Sequence, residues 1–497
     1  MAIPSSDDGA VLEPTLDDGS RVAVIGSGPA GSLFSFFLLE MARRVGISLS
    51  VEIYESRKFT VPGPAGCNMC GGIVSETLVQ NLAIEGVNLP PGVVQRGIQS
   101  YVLHTDVGSA RIETPVAEMR IGALHRGAGP RDVKTSRWES FDQHLQARAT
   151  ATGAQVVNKR VEKIERVDGK PTVHTKDGKV ETYDLLVVAA GVNSPLLKSF
   201  EELGIGYERP AVTKTLIREY YLGEDVINRS LGSAMHVFLL DIPRLEFAAA
   251  IPKGDYVTLA VLGEDIDKEL MERFLASPEV RGCMPPEWKP EAHSCQCMPN
   301  INVRGVAKPY ADRLVFIGDC GVTRLYKDGI GAAYRTAKSA ARAALFEGIS
   351  ERALARCFMP VCRSIARDNA IGRLAFLVTR IARGLRPLRR AMLRMVVKEQ
   401  ARPGPLRRMS GVLWDMFSGS APYEDIFRRM LRPAFLARFI GSVFASLWAR
   451  RAQRRPALPD VATAPLRVPE IAGAPSPLPP ARQREDPEPS LHPGGTP

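Results

Sequence analysis

Histidine is scarce in this chain, seven among 497 residues, and no Ser-His-Asp set or metal-ligand triad is evident along it. A histidine-rich metal centre and hydrolytic chemistry of the triad type are therefore not expected. Cysteine is also sparse. Eight in a chain this long do not form a disulfide scaffold. The first twenty residues carry Asp7, Asp8, Glu13, Asp17 and Asp18 and no apolar run, the reverse of a secretory leader, so a cytoplasmic protein is expected. The longest uncharged apolar stretch, Phe439–Ala449, is far short of the ~20 residues that span a bilayer.

Charge is unevenly spread. Residues 371–455 hold eighteen Arg and one Lys against Glu399, Asp415, Glu424 and Asp425, a net of +15. The whole chain carries +11, so everything else sums to −4. The basic segment contains short apolar stretches bearing Trp414, Phe417, Phe435, Phe439, Phe444 and Trp448. Arg-flanked apolar helices with aromatics fit an in-plane anchor on anionic lipid. A helical cap on the body of the protein, or a contact with a partner helix, fits the same pattern. Nucleic acid is not expected, because the aromatics lie on apolar stripes and no reader motif occurs.

Residues 1–19 read as a disordered lead-in and 456–497 as a Pro-rich disordered tail. Between them the pattern is α/β. Val22–Ile25 is a buried strand, and Gly26-Ser27-Gly28-Pro29-Ala30-Gly31 follows it directly. Gly26 permits a tight turn, Gly28 lets backbone approach a pyrophosphate, and Gly31 lets the next helix pack on the strand. The helix start then presents amides and its positive dipole end to the phosphates. Strand Val51–Tyr54 ends in Glu55, placed to accept from adenosine ribose hydroxyls, which disfavours a 2′-phosphate. A further strand, Arg313–Asp319, ends in Gly318-Asp319, and Gly329-Ile330-Gly331 opens another helix. Asp319 is placed for a ribityl hydroxyl, and amides at that helix start suit a carbonyl that gains negative charge on reduction.

These residues resemble the second FAD fingerprint of the flavoprotein group that includes p-hydroxybenzoate hydroxylase and the geranylgeranyl reductases. Arg137…Phe141-Asp142…Leu145 is similar to that group's Arg…Phe-Asp…Leu helix, whose Arg lies near the cofactor phosphates or ribityl chain. Val161–Ile164 resembles its adenine-contacting strand. Tyr183–Ser194 resembles its Asp-Gly strand, with Ala190 where Asp is usual. Cys70-Gly71-Gly72 resembles the reductases' Cys-Gly-x-Gly loop along the flavin ring, and Phe247–Asp255 their substrate-lining strand, with Ala249 in place of Trp. The resemblance spans about residues 20–350. It implies a Rossmann-like FAD-binding domain (20–100, 130–200 and 300–350), an inserted antiparallel β-sheet substrate domain (101–129 and 201–299), and a basic amphipathic helical region (351–455).

The expectation is an FAD-dependent oxidoreductase that reduces a C=C bond or quinoid ring of a lipophilic, isoprenoid-like substrate at a membrane surface. An FAD monooxygenase, a quinone-linked dehydrogenase and a non-catalytic flavin-binding scaffold are the alternatives. No second dinucleotide fingerprint is visible, so the sequence leaves the electron donor open between NAD(P)H and a reduced carrier. Cys70 is the candidate catalytic residue. With Cys67 it has redox spacing, although a packed pair beside the cofactor has the same signature. Cys320 reads as a buried filler. Cys283 with Cys295 and Cys297 lacks the usual metal-ligand spacing, so no metal site is expected.

Overall fold

The structure is a computed structural model that describes residues 13–67, 70–115, 121–131, 133, 138–290, 295–401 and 407–448. The expected tail at 456–497, Arg137, and the first twelve residues of the lead-in lie outside these. The rest of the lead-in is not disordered. Leu16 is buried in the core, Ile349 donates its amide to the Pro14 carbonyl, and Ser350 donates its hydroxyl to Glu13. One apolar side chain and a pair of capping contacts outweigh the acidic composition there.

Strand Arg21–Ile25 is apolar on both faces and lies centrally in a six-stranded sheet, between Ser50–Tyr54 and Leu185–Val188. Gln155–Val157 and Leu314–Phe316 extend it in parallel, and only the edge strand Tyr310–Ala311 runs the other way. A parallel sheet needs cover on both faces. Helices Pro29–Arg44 and Gly329–Phe346 supply one cover, packed tightly against each other. The second offers Ala333, Ala337, Ala340, Ala341 and Ala344 on its buried side, which lets the first bring Phe34, Phe37 and Leu38 close.

The larger sheet has eight strands. Its centre is the hairpin Leu245–Lys253/Tyr256–Gly263, extended by Ala211–Tyr221 on one side and by Ala234–Phe238 on the other. All neighbours are antiparallel except Ala234–Phe238 with Ser100–Thr105. Alternation along these strands gives the sheet two apolar faces. Phe238, Leu259 and Val261 pack under the short helix Lys268–Leu275. Tyr101, Met235, Phe247 and Ile251 face the other way, toward the parallel sheet and the basic helices.

Those helices form a cap. Arg386–Gln400, Arg408–Ser418 and Tyr423–Met430 place Val396, Trp414, Phe417 and Tyr423 on this second face. The ring of Trp414 meets Tyr101 edge-on at 4.9 Å. Arg389, basic in sequence, is only 2% exposed; it donates one hydrogen bond of 2.9 Å to Asp106, with its Nε at ion-pair distance, 2.7 Å, from the same carboxylate. This one charge of the segment is thus spent inside the protein, while Arg373, Arg380, Arg386, Arg390, Arg428, Arg432 and Arg438 stay exposed. Helix Pro433–Trp448 is different: it buries only Phe435, Ser442 and Ser446, and leaves Ile440, Phe444 and Trp448 exposed. Among the described residues no single helix is long and apolar enough to cross a membrane. Tyr423–Met430 and Pro433–Trp448 pass by length and composition only as a pair bent by 65°.

Candidate functional site

The glycine turn adopts the geometry its sequence demands. Gly26 has φ +97°, and a Cβ there would lie 2.6 Å from the Ala189 carbonyl oxygen. A Cβ on Gly31 would lie 1.9 Å from the Gly26 carbonyl oxygen, so both positions exclude any side chain. Gly28 caps the helix in extended conformation with no side chain over its amides, and Pro29 opens the first turn. Glu55 accepts from the amides of Ser27 at 3.0 Å and Arg57 at 2.9 Å, which ties the second strand's end to the turn.

Some 290 residues later, Gly318 has φ +66°, and a Cβ on it would meet the Cβ of Ala30 at 2.9 Å. The two glycine motifs are therefore in contact, and Asp319 follows at that junction. Burial raises the Asp319 carboxyl above its ordinary range, against the Thr323 hydroxyl and Arg126. Asp328 precedes helix Gly329–Phe346 in the left-handed region, φ +56°, and a Cβ on Gly331 would lie 2.3 Å from the Asp328 carboxylate, which would have to turn aside.

One cavity of about 1020 Å³ joins these parts. It is at the upper end of cofactor and small-molecule sites, roughly 300–1,000 Å³. Gly26, Gly28, Pro29, Ala30, Glu55 and Val161 line one stretch of it, and Cys70, Gly318, Asp319, Gly329 and Ile330 another. The sequence also named Ser27, Gly31 and Gly331, which stand behind the wall. The Ser27 side chain is fully buried, facing Ser32 at 3.2 Å, and only its backbone belongs to the turn. Beyond the glycine motifs the lining becomes apolar, with Met235, Phe247, Ala249, Ile251, Leu262 and the cap residue Phe417.

Sequence reasoning missed Arg126. It lines the cavity, and its guanidinium makes a two-point pair with fully buried Asp142, 2.9 and 2.8 Å. Burial penalises that charge, yet Asp142 outweighs the penalty and holds the guanidinium protonated. Asp142 was visible as part of the Phe-Asp helix motif; its partner was not, since Arg126 lies in a loop with no motif of its own.

Lys327, in the loop before helix Gly329–Phe346, is not a solvated charge. The structure sets it in the cavity, its ammonium 4.4 Å from the Phe247 ring centre, and burial lowers its pKa to about 8. Burial likewise raises Asp328 to about 6, opposed by Arg324. Arg324 itself, 6% exposed, sits over the Tyr423 ring at 4.6 Å and donates to the carbonyls of Gly419 and Ala421. It locks the loop before helix Gly329–Phe346 to the cap.

Cys70 lines the cavity and its sulfur accepts from the Gly72 amide at 3.3 Å. Cys320 is buried, its thiol pushed up to about 12 and donating to the Val188 carbonyl, as suits a packed filler. Cys283 does not join Cys295 and Cys297. It lies on the opposite face of the large sheet, against His104 and His236.

The residues on the cavity fit a dinucleotide: two side-chain-free cradles, two helix starts and a carboxylate at a strand end, on one continuous wall. No protein-family model matches this chain, and no curated protein matches it. Its fold does match solved structures. A geranylgeranyl bacteriochlorophyll reductase-like protein from Thermoplasma acidophilum aligns over 87% of this chain and 100% of its own, with 14% identity and a TM-score of 0.52. The flavin-dependent brominase Bmp2 aligns over 87% and 100%, at 16% identity and TM-score 0.55. A variant of the halogenase PltM in complex with FAD aligns over 88% and 93%, at 14% identity and TM-score 0.53. The chain has the Rossmann-type fold of flavoenzymes. The likeness is one of fold, shared by enzymes of different chemistries.

Proposed function

We propose that this protein is an FAD-dependent oxidoreductase acting on a lipophilic substrate. The observation that carries the reading is the single cavity, which runs from the paired glycine motifs into an apolar chamber. Bound FAD would supply hydride transfer at its ring. The chain's own residues would do the rest. Gly26, Gly28 and the start of helix Pro29–Arg44 would hold the pyrophosphate, Glu55 the ribose, Asp319 the ribityl chain and the amides at Gly329 and Ile330 the pyrimidine edge. Arg126, fixed by Asp142, adds positive charge to the same wall. Phe247, Ile251 and Phe417 would keep water from an apolar substrate. Lys327 and Cys70 are among the cavity groups able to give a proton to the reduced product.

The preferred reaction is reduction of a C=C bond or quinoid ring of an isoprenoid-like molecule. NAD(P)H or a reduced carrier would be the electron donor. Helix Pro433–Trp448 would rest on anionic lipid, because its large apolar residues are exposed beside Arg432 and Arg438.

The deciding experiment is anaerobic. The purified chain, with its flavin photoreduced, is mixed with a lipid extract, and the compound that reoxidises the flavin is isolated. Gain of two hydrogens supports the reductase. Gain of one oxygen in air with NAD(P)H consumption makes it a monooxygenase, and a chain that takes up no FAD refutes the reading.

A further inference from the structure

Three side chains far apart in sequence meet on the face of the large sheet turned away from the cavity. His104 and His236 stand on the adjacent parallel strands Ser100–Thr105 and Ala234–Phe238, and Cys283 comes from the turn after the short helix Pro278–Arg281. His104 Nε2 is 2.9 Å from His236 Nδ1, and Cys283 Sγ is 3.2 Å from His236 Nδ1 and 3.4 Å from His104 Nε2. All three residues are buried, His236 at 1% exposure. Among the described residues this is the group of His, Cys, Asp and Glu whose ligand atoms converge closely enough to hold an ion.

We infer that His104, His236 and Cys283 form a binding site for one thiophilic transition-metal ion of filled d shell, Cu⁺ or Zn²⁺. Tetrahedral bonds of about 2.05 Å to nitrogen and 2.3 Å to sulfur set edges of about 3.3 Å between nitrogens and 3.6 Å between nitrogen and sulfur. The three separations are a few tenths of an ångström shorter, so small side-chain rotations admit an ion. Imidazole and thiolate together are the donors that copper and zinc prefer, while Mg²⁺ and Ca²⁺ require oxygen. Burial lowers both imidazoles, His104 to about 4 and His236 well below its ordinary value, so both are neutral ligands near pH 7. The His104 Nδ1 lies 2.8 Å from the Ser109 hydroxyl; as donor there, it leaves the Nε2 lone pair facing the trio.

Charge favours Cu⁺ of the two. Cys283, held protonated by burial with its pKa near 12, also donates to the Glu279 carbonyl at 3.1 Å. Binding must expel that proton: the S–H bond breaks, a metal–sulfur bond forms, and one H⁺ leaves. With Cu⁺ the product is neutral. With Zn²⁺ it keeps one positive charge in an apolar setting that includes Phe238, stacked 4.8 Å from His104. The charged groups acting on the trio are Arg111, which opposes a cation, and Glu279, which favours one. Spacing along the chain offers no sign of the trio, since 132 residues separate the two histidines.

The test uses the full-length protein and each metal ion alone. The chain is loaded anaerobically with Cu⁺, or with Zn²⁺, desalted and assayed for metal content. About one ion per chain is expected, with one proton released per ion bound. Cys283→Ser should bind at least tenfold more weakly in competition with a chromophoric chelator, and Cys295→Ser should bind as the parent does. X-ray absorption of the loaded parent should show one sulfur and two nitrogen neighbours, which keeps the test sound if Cys283→Ser misfolds. A folded parent that retains neither ion, or a coordination sphere without sulfur, overturns the proposal. The outcome is independent of flavin binding, because the trio shares no residue with the cavity.

Discussion

Gly318 lies against Ala30: the hydrogen that Gly318 carries in place of a side chain points at a methyl group 288 positions earlier, with 2.9 Å for any added carbon. The contact joins the two halves of the cofactor wall. Gly318→Ala meets both a left-handed backbone and that methyl, each costing about 1–2 kcal/mol. FAD affinity should fall roughly tenfold or more, measured by titrating deflavinated protein. Gly153→Ala, also at positive φ but with open space around it, should bind FAD like the parent.

Arg126 and Asp142 form a buried ion pair whose partners differ in what they touch. Asp142→Ala strands a buried guanidinium and should lower stability by about 3–5 kcal/mol. Arg126→Lys keeps the charge, loses the two-point geometry, and should weaken FAD binding more than it lowers Tm. Denaturant unfolding of the FAD-free proteins, set beside the flavin titration, separates the two effects.

Lys327 gives a pH prediction with a definite sign. Its folded-state pKa, about 8, lies below its ordinary 10.5, so the folded protein holds this proton less tightly than the unfolded chain does. No penalty exists above pH 10.5; it grows as pH falls and is complete below 8. Lys327→Met should therefore gain roughly 1–2 kcal/mol at pH 7, with water in the cavity moderating the figure. If Lys327 is the proton donor, turnover in the parent declines above pH 8, and the variant loses that limb along with most of its rate.

Arg324 is expected to govern how the cap is held. Arg324→Met removes donors to Gly419 and Ala421 and the pairings with Asp328 and Asp368, 3.6 and 3.5 Å away. Hydrogen exchange across 407–430 should accelerate at least tenfold, while exchange in strand Arg21–Ile25 stays unchanged.

Phe444→Glu with Trp448→Glu should abolish co-sedimentation with vesicles containing anionic phospholipid and leave FAD content untouched. Unchanged sedimentation would remove the lipid role from this helix.

The cofactor wall was legible because its requirements are local. Turns at Gly26 and Gly318 need glycine wherever they occur, and a strand ending in Glu55 states its position by spacing alone. Arg126 was illegible because its role comes from Asp142, sixteen residues away across a loop and a helix cap. The cap was ambiguous for another reason. An apolar stripe between arginines looks the same whether it meets lipid or a sheet, and only Asp106 beneath Arg389 reveals the second. Cys283 pointed in sequence toward Cys295 and Cys297, but the turn after helix Pro278–Arg281 sets it against two histidines instead.

Phe417 closes a chamber whose cofactor wall is complete by Ala333. On the ribosome, then, the grip for the dinucleotide can be finished while the substrate compartment still lacks a side, and many further residues must emerge before it shuts. On the function proposed above, a chain stopped short of the cap would hold the flavin with its reactive edge open to water and oxygen, a leaky oxidase in place of a selective catalyst.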